Sequence, residues 1–170
     1  MFRAFLDESY NSRVFIISGF AADTTVWPSI EAQWNRAIKR KHLKRCHAVD
    51  CFHGKEEFKD WPREGREELT AELSRILTHR RPSSSKIREG IYGVTYATDR
   101  QGYRDLMKGS PYPDEYMLLL QLMIRRLAAL CQALPSTERI DVVMDRNASF
   151  TGKATEQFER LAEDPCVEHR

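Results

Sequence analysis

The chain has 170 residues, and 27 Lys and Arg stand against 25 Asp and Glu, a formal net charge of +2. That length supports one domain with a real core and is short for two, and so small a charge does not by itself imply a nucleic-acid partner. No apolar run approaches the roughly 18 residues of a membrane span. The amino terminus lacks a signal-peptide plan, and four cysteines in a chain of this size do not suggest a disulfide framework, so a reducing cytoplasm fits best.

The first predicted element is a strand from Phe2 in which Phe2, Ala4 and Leu6 alternate with Arg3, Phe5 and Asp7. Its apolar run stops at two adjacent acids, Asp7 and Glu8. Carboxylates resist burial unless paired, hydrogen-bonded or bound to a cation, and acids at the carboxyl end of a strand are where an α/β sheet often presents its chemistry. Tyr10-Asn11-Ser12 reads as a turn, and Val14 to Ala22 as a second, buried strand, so the chain opens with a hairpin.

Pro28 suits the first turn of a helix running to about Lys41, with Ile30, Trp34, Ala37 and Ile38 on its inner face. Arg36, Lys39, Arg40, Lys41, Lys44 and Arg45 make this the densest basic cluster of the chain. It reads either as a solvated helix face or as a contact for nucleic-acid phosphates.

Cys46 to Gly54, together with His42, gathers three histidines, two cysteines and an aspartate. Sulfur and imidazole are the usual zinc ligands, but there is no Cys-x-x-Cys pair and no distant second half. In the other reading His47 and Asp50 serve the acids of the first strand, while Cys46 and Cys51 pack as small apolar groups.

A mostly helical stretch from Glu56 to about Arg80 breaks near Pro62 and carries the stripe Leu69, Leu73, Ile76 and Leu77. Arg81 to Ser85 is a loop, Ile87 to Ala97 a third strand, and Gly102 to Pro113 irregular. The helix from about Asp114 to Leu134 is apolar on nearly every face from Met117 to Ile124, which predicts a buried helix beneath the sheet. A fourth strand, Ile140 to Asp145, again ends in an acid, and a last helix spans Lys153 to Glu163. If the first and fourth strands are parallel neighbours, Asp7 and Asp145 stand about 5 Å apart at the backbone and call for a cation or a shared proton.

The order of Phe5-Leu6-Asp7-Glu8-Ser9, Cys46-His47-Ala48-Val49-Asp50 and Val142-Val143-Met144-Asp145 resembles the bacterial domain-of-unknown-function family 3800. That family's signatures are a strand ending Asp-Glu-Ser-Gly, here with Tyr10 for glycine, then a Phe-His-Ala-x-Asp segment and a later strand ending in aspartate. The resemblance runs from Phe2 to about Glu163 and implies a single α/β, ribonuclease H-like domain over residues 1–170, with a mixed sheet and helices on its faces. Family members continue into a strand and a helix bearing Gln-x-Ala-Asp. This sequence has none, so a carboxy-terminal strand, helix and acid are expected to be missing.

The function expected is phosphodiester hydrolysis by a nuclease that uses Mg²⁺ or Mn²⁺, ions that favour carboxylate oxygens. Asp7, Asp145 and Asp50 or Glu8 would be the ligands, His47 the group that positions water or moves a proton, and the basic cluster the hold on the nucleic-acid backbone. Glu8 is the weaker ligand, because alternation turns it away from Asp7. Two alternatives stand beside this: a non-catalytic binding or scaffold protein of the same fold, and a zinc-dependent hydrolase using the Cys46–His53 region.

Overall fold

A computed structural model describes residues 1–78, 90–109, 114–133, 139–144 and 151–162. They are α/β, and the chain separates into two compact units: Met1–Ala22 with Tyr92–Arg170, and Asp23–Ile91.

The first unit holds an open, mixed sheet of four strands: β1 (Phe2–Tyr10), β2 (Val14–Asp23), β3 (Ile91–Asp99) and β4 (Ile140–Met144), in the order β3-β2-β1-β4. β1 and β4 run parallel, in a register that pairs Phe2 with Ile140 and Leu6 with Met144. The alternation in β1 is the one its sequence predicts. Phe2, Ala4 and Leu6 are buried, while Phe5 and Asp7 are exposed on the other face. Phe15, Ile17 and Ala21 of β2 and Val94 of β3 complete the inner face of the sheet.

Against that face lies the long helix Glu115–Ala133, which lays Tyr116, Leu120, Met123 and Leu127 into the core. These positions recur every three or four residues, one side of a helix. The burial expected for its apolar section is found: Met117, Leu119, Leu120 and Met123 are buried, and within Met117–Ile124 Leu122 alone is exposed, at 37%.

Two boundaries differ from the sequence reading. β1 does not stop at Asp7 and Glu8 but continues to Tyr10, and the turn tightens around Asn11, whose side chain accepts from the backbone N–H groups of Arg13 and Val14 at 2.8 and 2.9 Å. Strand pairing is made by backbone groups, so polar side chains at the end of a strand do not terminate it. The segment expected to be irregular from Gly102 instead contains a two-turn helix, Arg100–Leu106. Asp99 caps it, accepting from the N–H of Gly102 at 2.6 Å. Arg100 then anchors it. Its backbone N–H donates to the carbonyl of Arg13 at 2.7 Å, and its guanidinium donates to the carbonyl of Asn11 at 2.8 Å and to Glu115 at 2.5 Å. One arginine thus ties the hairpin turn to the start of the long helix.

In the second unit, helices Trp27–Arg40 and Arg63–Thr78 pack together around Ala37, Ile38, Leu43, Cys51, Phe58, Leu69 and Leu73. A short helix, Ala48–His53, and a 3-10 turn, Glu56–Phe58, lie between them in sequence. In chain order the helices are α1 (Trp27–Arg40), α2 (Ala48–His53), α3 (Arg63–Thr78), α4 (Arg100–Leu106), α5 (Glu115–Ala133) and α6 (Thr151–Ala162). α6 packs against α5. The loop expected at 81–85, the start of the third strand at 87–89, the helix-ending Pro135 and the strand tip Asp145 lie outside the described residues. Among the described residues no helix is long and apolar enough to cross a membrane.

Candidate functional site

Asp7 sits two-thirds of the way along β1, on the sheet face away from α5. It borders a depression of about 630 Å³ whose other walls include Phe5, Ser18, Phe20, Gly93 and Thr95. A carboxylate beside aromatic and hydroxyl groups on an open face can accept hydrogen bonds or bind a cation without paying for deep burial. Arg3 and Asp141, directly paired in the β1–β4 register, form a 3.0 Å ion pair across those strands. Strand alternation puts them on the face that bears Asp7. Asp141 is therefore held by a partner, a role that its place inside an apolar run did not signal.

Glu8 faces the other way. It is half-buried on the α5 side, near Tyr116. Burial, aided by Glu8 and Asp114, pushes the Tyr116 hydroxyl up to about 12, so it stays protonated at any physiological pH. Asp7 and Glu8 are thus brought to opposite faces of one strand, and Asp145 lies outside the described residues. The described part of β4 ends at Met144, paired with Leu6.

His47 and Asp50 belong to the second unit. Their local structure follows from the start of α2. His47 is the extended N-cap residue, and Asp50 is the third residue of the helix, where a negative charge meets the positive end of the helix dipole. The His47 Nδ1 and Asp50 Oδ2 atoms are 2.9 Å apart, with the imidazole 59% exposed and the carboxylate 16%. This is an imidazole oriented by a carboxylate, a side-chain pair across the first turn of the helix, with no side-chain hydrogen bond to the backbone at the cap.

Cys46 and Cys51 flank that pair, one residue before the cap and four after it. Residues at these two positions often pack together as a staple that fixes the entry of the chain into the helix. Cys51 is buried, and Cys46 packs against the cluster that contains it. Burial, and then the neighbouring Cys51 thiol, pushes Cys46 up to about 11, leaving it protonated and a weak metal ligand at neutral pH. Among the described residues no group of three or more His, Cys, Asp or Glu side chains stands together as a metal site would require. The helix closes at Gly54, whose φ of 62° lies in the left-handed region that glycine adopts without strain. Arg66 packs against it, donating to the carbonyls of Cys51 and Phe52 at 2.9 and 2.7 Å.

Of the basic cluster, Arg36, Lys39, Arg40, Lys44 and Arg45 are exposed and Lys41 is half-buried. Arg40 forms an ion pair with Glu72, and the backbone N–H of Lys44 donates to Glu57 at 2.8 Å. The positive surface is thereby partly answered by acids from later in the chain.

The second unit also contains a cavity of about 1030 Å³ lined mainly by apolar groups, among them Trp34, Val49, Phe52 and Leu77, with both thiols on its wall. Sequence reasoning did not find it. Its lining comes from three helices and becomes contiguous only on folding. The one local hint is the exposure of Phe52, at 80%, beside Val49, at 53%. Comparison with protein-family models, with curated proteins and with solved structures finds no match for this chain.

Proposed function

We propose that the chain is a Mg²⁺- or Mn²⁺-dependent nuclease built on a ribonuclease H-like sheet. One observation carries this reading: β1 and β4 are parallel neighbours whose pairing reaches Leu6 and Met144, the residues that immediately precede Asp7 and Asp145 in sequence. The strand order β3-β2-β1-β4 supports it as well, since that order places the two acid-bearing strands side by side in the sheet. Asp7 on an open face suits a hard cation, which takes one or two protein carboxylates and leaves other positions for water and a phosphate. Such an ion would supply charge neutralisation at the scissile phosphate. On the second unit, exposed cations among Arg36, Lys39, Arg40, Lys41, Lys44 and Arg45 would by themselves bind nucleic-acid phosphates.

A non-catalytic binding role is the second reading. It is favoured by the way His47 and Asp50 are already accounted for by the start of α2. The test is cleavage of single- and double-stranded DNA and RNA with Mn²⁺ present, comparing the parent with Asp7→Asn and Asp145→Asn. Catalysis predicts Mn²⁺-stimulated cleavage that falls by about a hundredfold or more in each variant. Cleavage of equal rate in all three proteins would mark a contaminant. Binding of the nucleic acid without cleavage would leave the scaffold reading. Stoichiometric zinc in the purified protein, lost with Cys46→Ser, would instead favour a zinc hydrolase.

A further inference from the structure

We infer that Cys46 and Cys51 are a redox-reactive thiol pair, which closes to an intramolecular disulfide when the protein meets a peroxide. The two residues occupy the stapling positions on either side of the α2 start. Cys46 packs against the cluster that holds Cys51, and both thiols line the same open cavity. A small oxidant entering that cavity meets Cys46 first, because Cys46 is half-buried and Cys51 fully buried.

The sulfur of Cys46, as thiolate, attacks one oxygen of hydrogen peroxide and breaks the O–O bond, giving a sulfenic acid and, after protonation, one water. The sulfur of Cys51 then attacks the sulfenic sulfur. The S–S bond forms, the S–O bond breaks, and the hydroxyl leaves as a second water with the remaining thiol proton. Two thiols are oxidised, one peroxide is reduced, and two waters result. Burial holds Cys46 mainly as the thiol, so the thiolate that reacts is the minor form. The resulting ring encloses His47, Ala48, Val49 and Asp50, so oxidation fixes the first turn of α2 and the His47–Asp50 pair with it. This holds whether or not the chain cleaves nucleic acid.

Arg45 and Lys55 bracket both cysteines in a single tryptic peptide, residues 46–55. The folded parent is treated with hydrogen peroxide, unfolded, alkylated with iodoacetamide, digested and weighed. The expected result is a peptide 46–55 that carries no alkyl group and is lighter than the reduced peptide by two hydrogens, reverting on reduction. In Cys46→Ser, Cys51 stays alkylatable after the same treatment. A parent peptide carrying two alkyl groups would overturn the assignment, as would Cys46 oxidised beyond the sulfenic acid beside an intact Cys51 thiol. So would either cysteine joined instead to Cys131 or Cys166.

Discussion

Replacing Gly19 by alanine should destabilise the first unit by about 3 kcal/mol or more. A Cβ at this position would stand 2.0 Å from the carbonyl oxygen of Phe5 and 2.7 and 2.9 Å from atoms of Leu6. The nearest of these is backbone, in the strand that pairs with β2, so it cannot swing aside as the end of a flexible side chain could. Relief would require β1 and β2 to separate where Leu6 and Ile17 are packed into the core. Gly93→Ala is the matched control. Its Cβ would meet only the Phe20 ring, at an ordinary 3.6 Å, and the change should cost less than about 1 kcal/mol. Urea unfolding of the three proteins decides the matter. Equal midpoints would mean that the two strands do not approach as closely as described.

Leu120→Ala should cost about 2–5 kcal/mol, because it removes a fully buried side chain and leaves a cavity that a close-packed core refills only in part. Leu120 is 0% exposed, between α5 and the sheet. Leu122, two residues on and 37% exposed, provides the contrast. Its truncation should cost less than about 1 kcal/mol. Both are leucines in the same helix, so propensity is the same, and the difference measures burial alone. Similar losses for both would mean that Leu122 is as deeply buried as Leu120.

That contrast shows where the sequence was readable. The period-two alternation Phe2, Ala4, Leu6 identified the inner face of β1, and the second apolar run with an acid behind it, Ile140 to Asp145, anticipated a parallel neighbour for it. Alternation and apolar runs are local consequences of burial, so they survive in a single sequence. The stripe Ile30, Ala37 and Ile38 was legible for the same reason. Interactions made at a distance were not. α4 forms where Gly102 and Tyr103 argue weakly for a helix, because Asp99 caps it and Arg100 reaches back to Asn11, 89 residues away in sequence. The extension of β1 through Asp7 to Tyr10 depends on backbone pairing that side-chain polarity does not report.

The candidate site was legible only in parts. Asp7 stands on an open sheet face, while Glu8 turns toward α5, as strand alternation requires. The dense stretch Cys46–Gly54 has the composition of a reactive site, yet much of it serves a helix start and stop: an acid at Asp50 in the first turn, two thiols at the stapling positions and a left-handed glycine at the end. The residue types that start helices and those that bind metals overlap, and spacing within six residues cannot separate the two uses. The large apolar cavity, shared among Trp34, Val49, Phe52 and Leu77, lies beyond any local pattern.

The most direct measurement is a Mn²⁺ titration of the purified protein by calorimetry, run in parallel on the parent, Asp7→Asn and Asp145→Asn. Saturable binding by the parent, weakened about tenfold or more in each variant, is the result required if carboxylates of two neighbouring parallel strands grip one divalent ion. Indistinguishable binding curves for all three proteins would contradict it.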